Sequence, residues 1–111
     1  MPGLPLEINC QDAHRLGTAS GDLVLIDCRE PEEHDIAAIA GAQLMPMSSI
    51  AERLHELPAD KEARVIVFCH LGGRSLRVAM WLRQQGYLQA QSMAGGIDQW
   101  AVEIEPGMAR Y

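Results

Sequence analysis

The sequence predicts a three-layer α/β fold: a mostly parallel five-stranded sheet with helices on both faces. Two observations lead there. Leu23–Asp27 (LVLID) and Arg64–Phe68 (RVIVF) are continuous apolar runs, the pattern of strands buried on both faces of a parallel sheet. Around them, segments with helix start and stop signals alternate with shorter strand candidates, the order that strand–helix–strand units produce.

In chain order, Leu6–Ile8 follows a proline and reads as a short strand. Asn9 caps a helix over about Cys10–Thr18, with Asp12 in its first turn. Gly21-Asp22 is a turn, and the first long strand follows it. The segment EPEEHDI opens a helix with Pro31 at its first position and acids in the first turn; Gly41 is expected to break it. Gln43–Met45 is a brief strand before Pro46. Ser49 and Glu52 have the spacing of a capping box for a helix over about Ile50–Leu57, which Pro58 ends. After the second long strand, Ser75–Gln85 reads as a helix with Gly86 as its left-handed cap, and Val78, Ala79 and Leu82 on its core face. Ala90–Met93 is the last strand, and Gly95-Gly96 turns into a short helix carrying Trp100.

The bulk numbers narrow the function. A chain of 111 residues fits one domain, residues 1–111, able to bury roughly two-thirds of its unfolded surface without disulfides. A net charge of −6 argues against nucleic acid or an anionic membrane as partner, so any anion site must be built locally. The three cysteines, Cys10, Cys28 and Cys69, are scattered, with no zinc spacing; no metal or cofactor is expected. Free thiols, an N-terminus unlike a signal peptide and no long apolar run together predict a cytoplasmic location.

In a parallel sheet the ligand site lies at the carboxyl ends of the strands, which brings Asp27 and Cys69 to one crevice. Cys69 opens the stretch CHLGGRS. After a strand and before a helix, Gly72 and Gly73 let successive amides turn inward as an anion-binding nest, and the helix start adds further amides. Arg74 adds a full positive charge. All of this favours a thiolate at Cys69, a nucleophile rather than an inert core cysteine. Cysteine phosphatases need Cys-x5-Arg; here four residues separate Cys69 from Arg74. The smaller cradle suits a single sulfur atom carried as a persulfide, and disfavours a small phosphatase or arsenate reductase.

Three stretches together resemble the rhodanese family of sulfurtransferases: DCREPEEHDIAAIAGAQLMP (Asp27–Pro46), CHLGGRS (Cys69–Ser75) and MAGGIDQW (Met93–Trp100). They span nearly the whole chain. The resemblance implies a single-domain rhodanese fold without a cofactor, and double displacement through a Cys69 persulfide. Amides from His70 through Arg74 would hold the sulfur, making His70, Leu71, Gly72, Gly73, Arg74 and Ser75 the substrate-binding loop. The donor would be thiosulfate or another small sulfur-containing anion oriented by Arg74; mercaptopyruvate ranks lower because relatives that use it tend to have a less basic loop. The acceptor would be cyanide or a thiol. An alternative is a sulfur-carrier or regulatory module serving a protein partner. The chain departs from the family pattern at His34, usually aromatic, and at Ala38, usually histidine; both concern packing rather than chemistry.

Beside the site, Asp27 and Arg29 read as a structural ion pair, and Gly95, Gly96 and Trp100 as structural neighbours. His70 reads as a rim residue rather than a base. Cys28 reads as a small apolar filler rather than a resolving thiol, and Cys10 as inert. Trp81 falls on the polar arc of its helix and is expected to pack under the tail rather than form a partner surface, while Met93 and Trp100 line the pocket or the core beside it. No chemistry is legible in Glu103–Tyr111.

Overall fold

A computed structural model describes residues 4–19 and 23–111, so the turn expected at Gly21-Asp22 lies outside the described residues. The elements are β1 (Glu7–Ile8), α1 (Cys10–Ala19), β2 (Leu23–Asp27), α2 (Pro31–Ile36), β3 (Gln43–Leu44), a 3-10 helix (Ile50–Glu56), β4 (Arg64–Phe68), α3 (Gly73–Gln84), β5 (Ala90–Met93) and α4 (Gly96–Glu103). The sheet order is β1-β5-β4-β2-β3, and every pairing is parallel. No helix among the described residues is long and apolar enough to cross a membrane.

The two apolar strands lie side by side at the centre, in register from Leu23 opposite Arg64 to Asp27 opposite Phe68. Their alternate residues feed two separate cores. Ile26, Cys28, Val65, Val67 and Cys69 pack with Ile50 and Leu57 of the 3-10 region and with Val78 and Leu82 of α3. Ile66 and Phe68 point the other way, to Ala13 of α1 and to Ile97 and Trp100 of α4. An apolar residue at every position is what two covered faces require. Val78, Ala79 and Leu82 are buried, as their helical spacing predicts. Gly86, at φ 101°, ends α3 in a Schellman turn: its own amide donates to the Arg83 carbonyl and the Tyr87 amide to Leu82.

Three helical expectations need correction. α2 stops at Ile36, well short of Gly41, and Ala37 is extended. The cause is Arg29, whose guanidinium donates to the Glu33 carbonyl at 3.1 Å and the Ala37 carbonyl at 2.7 Å. The segment beyond is then free to bury Ala37 and Ile39. The Ser49–Glu52 capping box does not form. The Ser49 hydroxyl turns back to the Pro46 carbonyl, and the segment winds as a 3-10 helix, the tighter form typical of short pieces. α3 begins at Gly73, two residues before Ser75, with Gly72 as its left-handed N-cap at φ 112°.

Asp27 and Arg29 are fully buried and form the expected ion pair, with Nε at 2.9 Å and Nη2 at 2.7 Å from the two carboxylate oxygens. His34 Nδ1 lies 2.9 Å from Asp27 Oδ2, so its departure from an aromatic residue is accommodated by a hydrogen bond. Ala38 is exposed and leaves no hole. The pair ties the end of β2 to α2.

The start of α4 supports the loop after β4. Gly95 and Gly96 both have positive φ, at 82° and 60°. A Cβ on Gly96 would lie 2.5 Å from the Cys69 carbonyl oxygen and 2.4 Å from that of His70. That closeness lets the amides of Ile97 and Asp98, which no helical carbonyl can satisfy, donate to Cys69 at 2.9 Å and His70 at 3.1 Å. Cys10 is buried beneath the same turn, its sulfur 3.7 Å from the Gly96 carbonyl.

Two outcomes test these contacts. Asp27→Ala strands Arg29 as a buried cation and should cost about 3–5 kcal/mol in urea unfolding, part of it recovered by adding Arg29→Met. Gly96→Ala should cost about 1–3 kcal/mol and return the Cys69 thiol toward ordinary reactivity, because the loop must move off α4. A variant as stable and as reactive as the parent would remove α4 as the loop's support.

Candidate active site

Cys69 leaves β4 and turns at once into α3. Its sulfur accepts the Gly72 amide at 3.1 Å and the Ser75 amide at 3.3 Å, and the Ser75 hydroxyl lies at 3.4 Å. Ser75 Oγ sits 2.7 Å from Ser92 Oγ on β5, both fully buried. Ser75 Oγ also lies 3.2 Å from the Gly72 carbonyl; when Cys69 is ionised, its one proton can turn to the sulfur while Ser92 donates to it.

The local electrostatics favour that ionised form. The Cys28 thiol beside it is the largest influence and stabilises the thiolate; burial opposes it; the Ser75 hydroxyl and the amides of Ser75 and Gly72 then add to it. Together they lower Cys69 from 9.0 to about 4. Cys28 is pushed the other way, first by its contact with Cys69 and then by burial, so it keeps its proton. Its position follows from register: Asp27 is opposite Phe68, and the Cys28 amide donates to the Phe68 carbonyl at 3.0 Å. Cys10, raised to about 11 by burial and Glu103, is an ordinary buried thiol.

Arg74 is placed differently from the sequence reading. It lies in the first turn of α3, and its two terminal nitrogens pair with Glu33 of α2 at 2.6 and 2.8 Å. Arg74, then burial in opposition, then Tyr111 act on Glu33, whose carboxyl is lowered to about 2. The positive charge expected to stabilise the thiolate is therefore spent mainly on a carboxylate, and hydrogen bonds dominate at the sulfur.

The other expected residues divide clearly. Gly72 shapes the turn: its positive φ and the Gly95 amide 3.3 Å from where a Cβ would sit both favour glycine. Gly73 starts α3 with open space around it. Leu71 is 64% exposed at the loop tip. His70 stacks on Tyr111, ring centroids 3.9 Å apart, and its Nε2 is buried without a hydrogen-bond partner. Trp100 packs in the opposite core, its Nε1 donating to Glu105 and its face meeting His14 edge-on. Met93 is also buried there. Trp81 packs, but not under the tail, whose Ile104 and Met108 join the opposite core: it is half-buried beside Met47 and Ile50.

Glu33, Ser92 and Tyr111 have no place in the sequence reading of the site. Ser92 left a trace: a serine inside a strand buried at every position needs a polar partner. Glu33 and Tyr111 left none, because they lie 41 residues from Arg74 and 82 residues from Arg29. Among the described residues, no group of three or more His, Cys, Asp or Glu side chains is arranged to hold a metal ion.

Comparison with known proteins places this geometry in a family. The model of the rhodanese-like domain matches residues 11–103. A sulfurtransferase of Allochromatium vinosum is 34% identical over 95 residues, covering 86% of this chain and 87% of that protein. The probable adenylyltransferase/sulfurtransferase MoeZ of Mycobacterium tuberculosis is 41% identical over 91 residues, covering 80% of this chain but 23% of that much longer protein. The human single-domain sulfurtransferase TSTD1 superposes with a TM-score of 0.80 at 27% identity, covering 90% of this chain and 98% of that one. A thiolate-stabilising loop on a five-stranded parallel sheet, matched over most of its length, identifies the chain as a member of the rhodanese-like domain family.

Proposed function

We propose that residues 1–111 act as one sulfurtransferase domain that moves a sulfane sulfur through a persulfide on Cys69. The observation that carries this reading is the Cys69 sulfur itself, held at 3.1 and 3.3 Å by the amides of Gly72 and Ser75, which together with the Cys28 thiol favour its ionised form. The thiolate attacks the outer sulfur of thiosulfate or of a persulfide donor. The donor's S–S bond breaks and its remainder departs with the electron pair, leaving Cys69 as a persulfide. Cyanide or a thiolate then attacks the terminal sulfur and regenerates the Cys69 thiolate. The loop serves both steps by presenting amides to a developing sulfur anion.

The arrangement disfavours phosphate chemistry. A phosphatase loop needs its arginine on the phosphate oxygens, whereas Arg74 is held by Glu33. A protein acceptor is the second reading, favoured by Leu71, an apolar side chain 64% exposed two residues from the nucleophile. A cytoplasmic setting goes with three buried free cysteines, one of them the reactive thiolate.

Incubation with thiosulfate or a small persulfide should add the mass of one sulfur atom to the wild-type chain, and cyanide should remove it as thiocyanate. Cys69→Ser should do neither; transfer at full rate by that variant, or none by the wild type, sinks the reading.

Alkylation of Cys69 by a neutral reagent should titrate with a midpoint near pH 4, far below the usual 9.0. Because the folded-state value lies below the unfolded one, the thiolate stabilises the fold above pH 9, and that contribution declines as pH falls toward 4. Ser75→Ala removes a donor to a charged sulfur and should raise the midpoint by about 1–2 units and slow transfer roughly tenfold or more.

A further inference from the structure

Tyr111 is the tail residue that reaches the loop. Its ring lies flat on His70, the planes 12° apart. Its hydroxyl accepts from Arg29 Nη1 at 3.0 Å and donates to Glu33 Oε2 at 2.8 Å. That same oxygen accepts from Arg74 Nη2 at 2.8 Å, while Glu33 Oε1 takes Arg74 Nη1 at 2.6 Å. A line of hydrogen bonds therefore runs from the buried Asp27–Arg29 pair through the phenol to Glu33 and on to Arg74. Arg29 cannot move without stranding a buried charge, so the phenol is held at a fixed point and holds Glu33 in turn.

The consequence is electrostatic. Arg74 is the cation built into the loop, and Glu33 cancels it. Adding the Cys69 thiolate leaves the immediate site with net negative charge, within a chain of net charge −6. A dianionic donor must either displace Glu33 from Arg74 or approach against that field. A donor with one negative charge meets a smaller opposing interaction.

We propose that Tyr111 is a specificity-determining positioning residue: its hydroxyl holds Glu33 on Arg74 and so sets the site against dianionic sulfur donors such as thiosulfate and toward persulfides of lower charge. This rests on the sulfurtransferase reading for its substrates, but the geometry has a second readout that needs no sulfur transfer. The hydroxyl and the ring are separable, because Tyr111→Phe keeps the stack on His70 and removes only the link to Glu33 and Arg29.

The test measures KM and kcat of wild type, Tyr111→Phe and Glu33→Gln with thiosulfate and with cysteine persulfide. It also measures the rates at which iodoacetate and iodoacetamide alkylate Cys69, located by peptide mass. In Tyr111→Phe the KM for thiosulfate should fall about three- to tenfold, with kcat and the persulfide KM within about twofold. Glu33→Gln should move the thiosulfate KM in the same direction. The iodoacetate-to-iodoacetamide rate ratio should rise as well, by roughly the square root of the fall in thiosulfate KM, because iodoacetate carries one negative charge where thiosulfate carries two. A shifted alkylation ratio in a protein that transfers no sulfur would overturn the sulfurtransferase reading and leave Tyr111 as a filter against anions. An unchanged alkylation ratio, or an equal change in KM for both donors, would overturn the role of Tyr111.

Discussion

The site depends on a backbone contact: the first amides of α4 on the carbonyls of Cys69 and His70. A peptide unit is planar, with its carbonyl and its amide on opposite sides. Fixing those two carbonyls toward α4 turns the amides of His70 and Leu71 away from it. The Gly72 amide then reaches the Cys69 sulfur, and α3 starts early enough for the Ser75 amide to do the same. Gly96 makes this possible by having no Cβ where two carbonyl oxygens stand. The glycines of MAGGIDQW are thus as much part of the nucleophile's setting as those of CHLGGRS.

A second principle is that the thiolate is stabilised more by dipoles than by charge. Cys28, Ser75 and two amides surround the sulfur, while the guanidinium nearby is engaged by Glu33. Hydrogen-bond donors at fixed positions hold the negative charge on the cysteine sulfur. They need not reorganise as a solvent shell would. A bare arginine in the same place would draw in whatever anion is abundant, phosphate included.

Much of this was legible in sequence because it is local. LVLID and RVIVF announce two covered faces, and the strand–glycine–helix order around Cys69 announces a nest. What was not legible is what distance hides. Nothing near Pro31 indicates that Arg29 will reach forward for the carbonyls of Glu33 and Ala37 and end the helix there. Spacing between Ser49 and Glu52 fits a capping box, but the Ser49 hydroxyl found the Pro46 carbonyl first. Arg74 looked like a free cation because its carboxylate lies 41 residues away. The tail looked empty because the groups that Tyr111 meets come from α2, the β2–α2 turn and the active-site loop.

The strand order carries a consequence for how the chain acquires its reactivity. β5 pairs with β4 on one side and β1 on the other, and it also supplies Ser92 and leads into α4. The cradle around Cys69 therefore draws on both neighbours of β4: Cys28 from just past the end of β2, and Ser92 and the α4 amides from β5 and beyond. An incompletely folded chain therefore carries Cys69 as an unexceptional thiol. The thiolate belongs to the whole topology rather than to the loop alone.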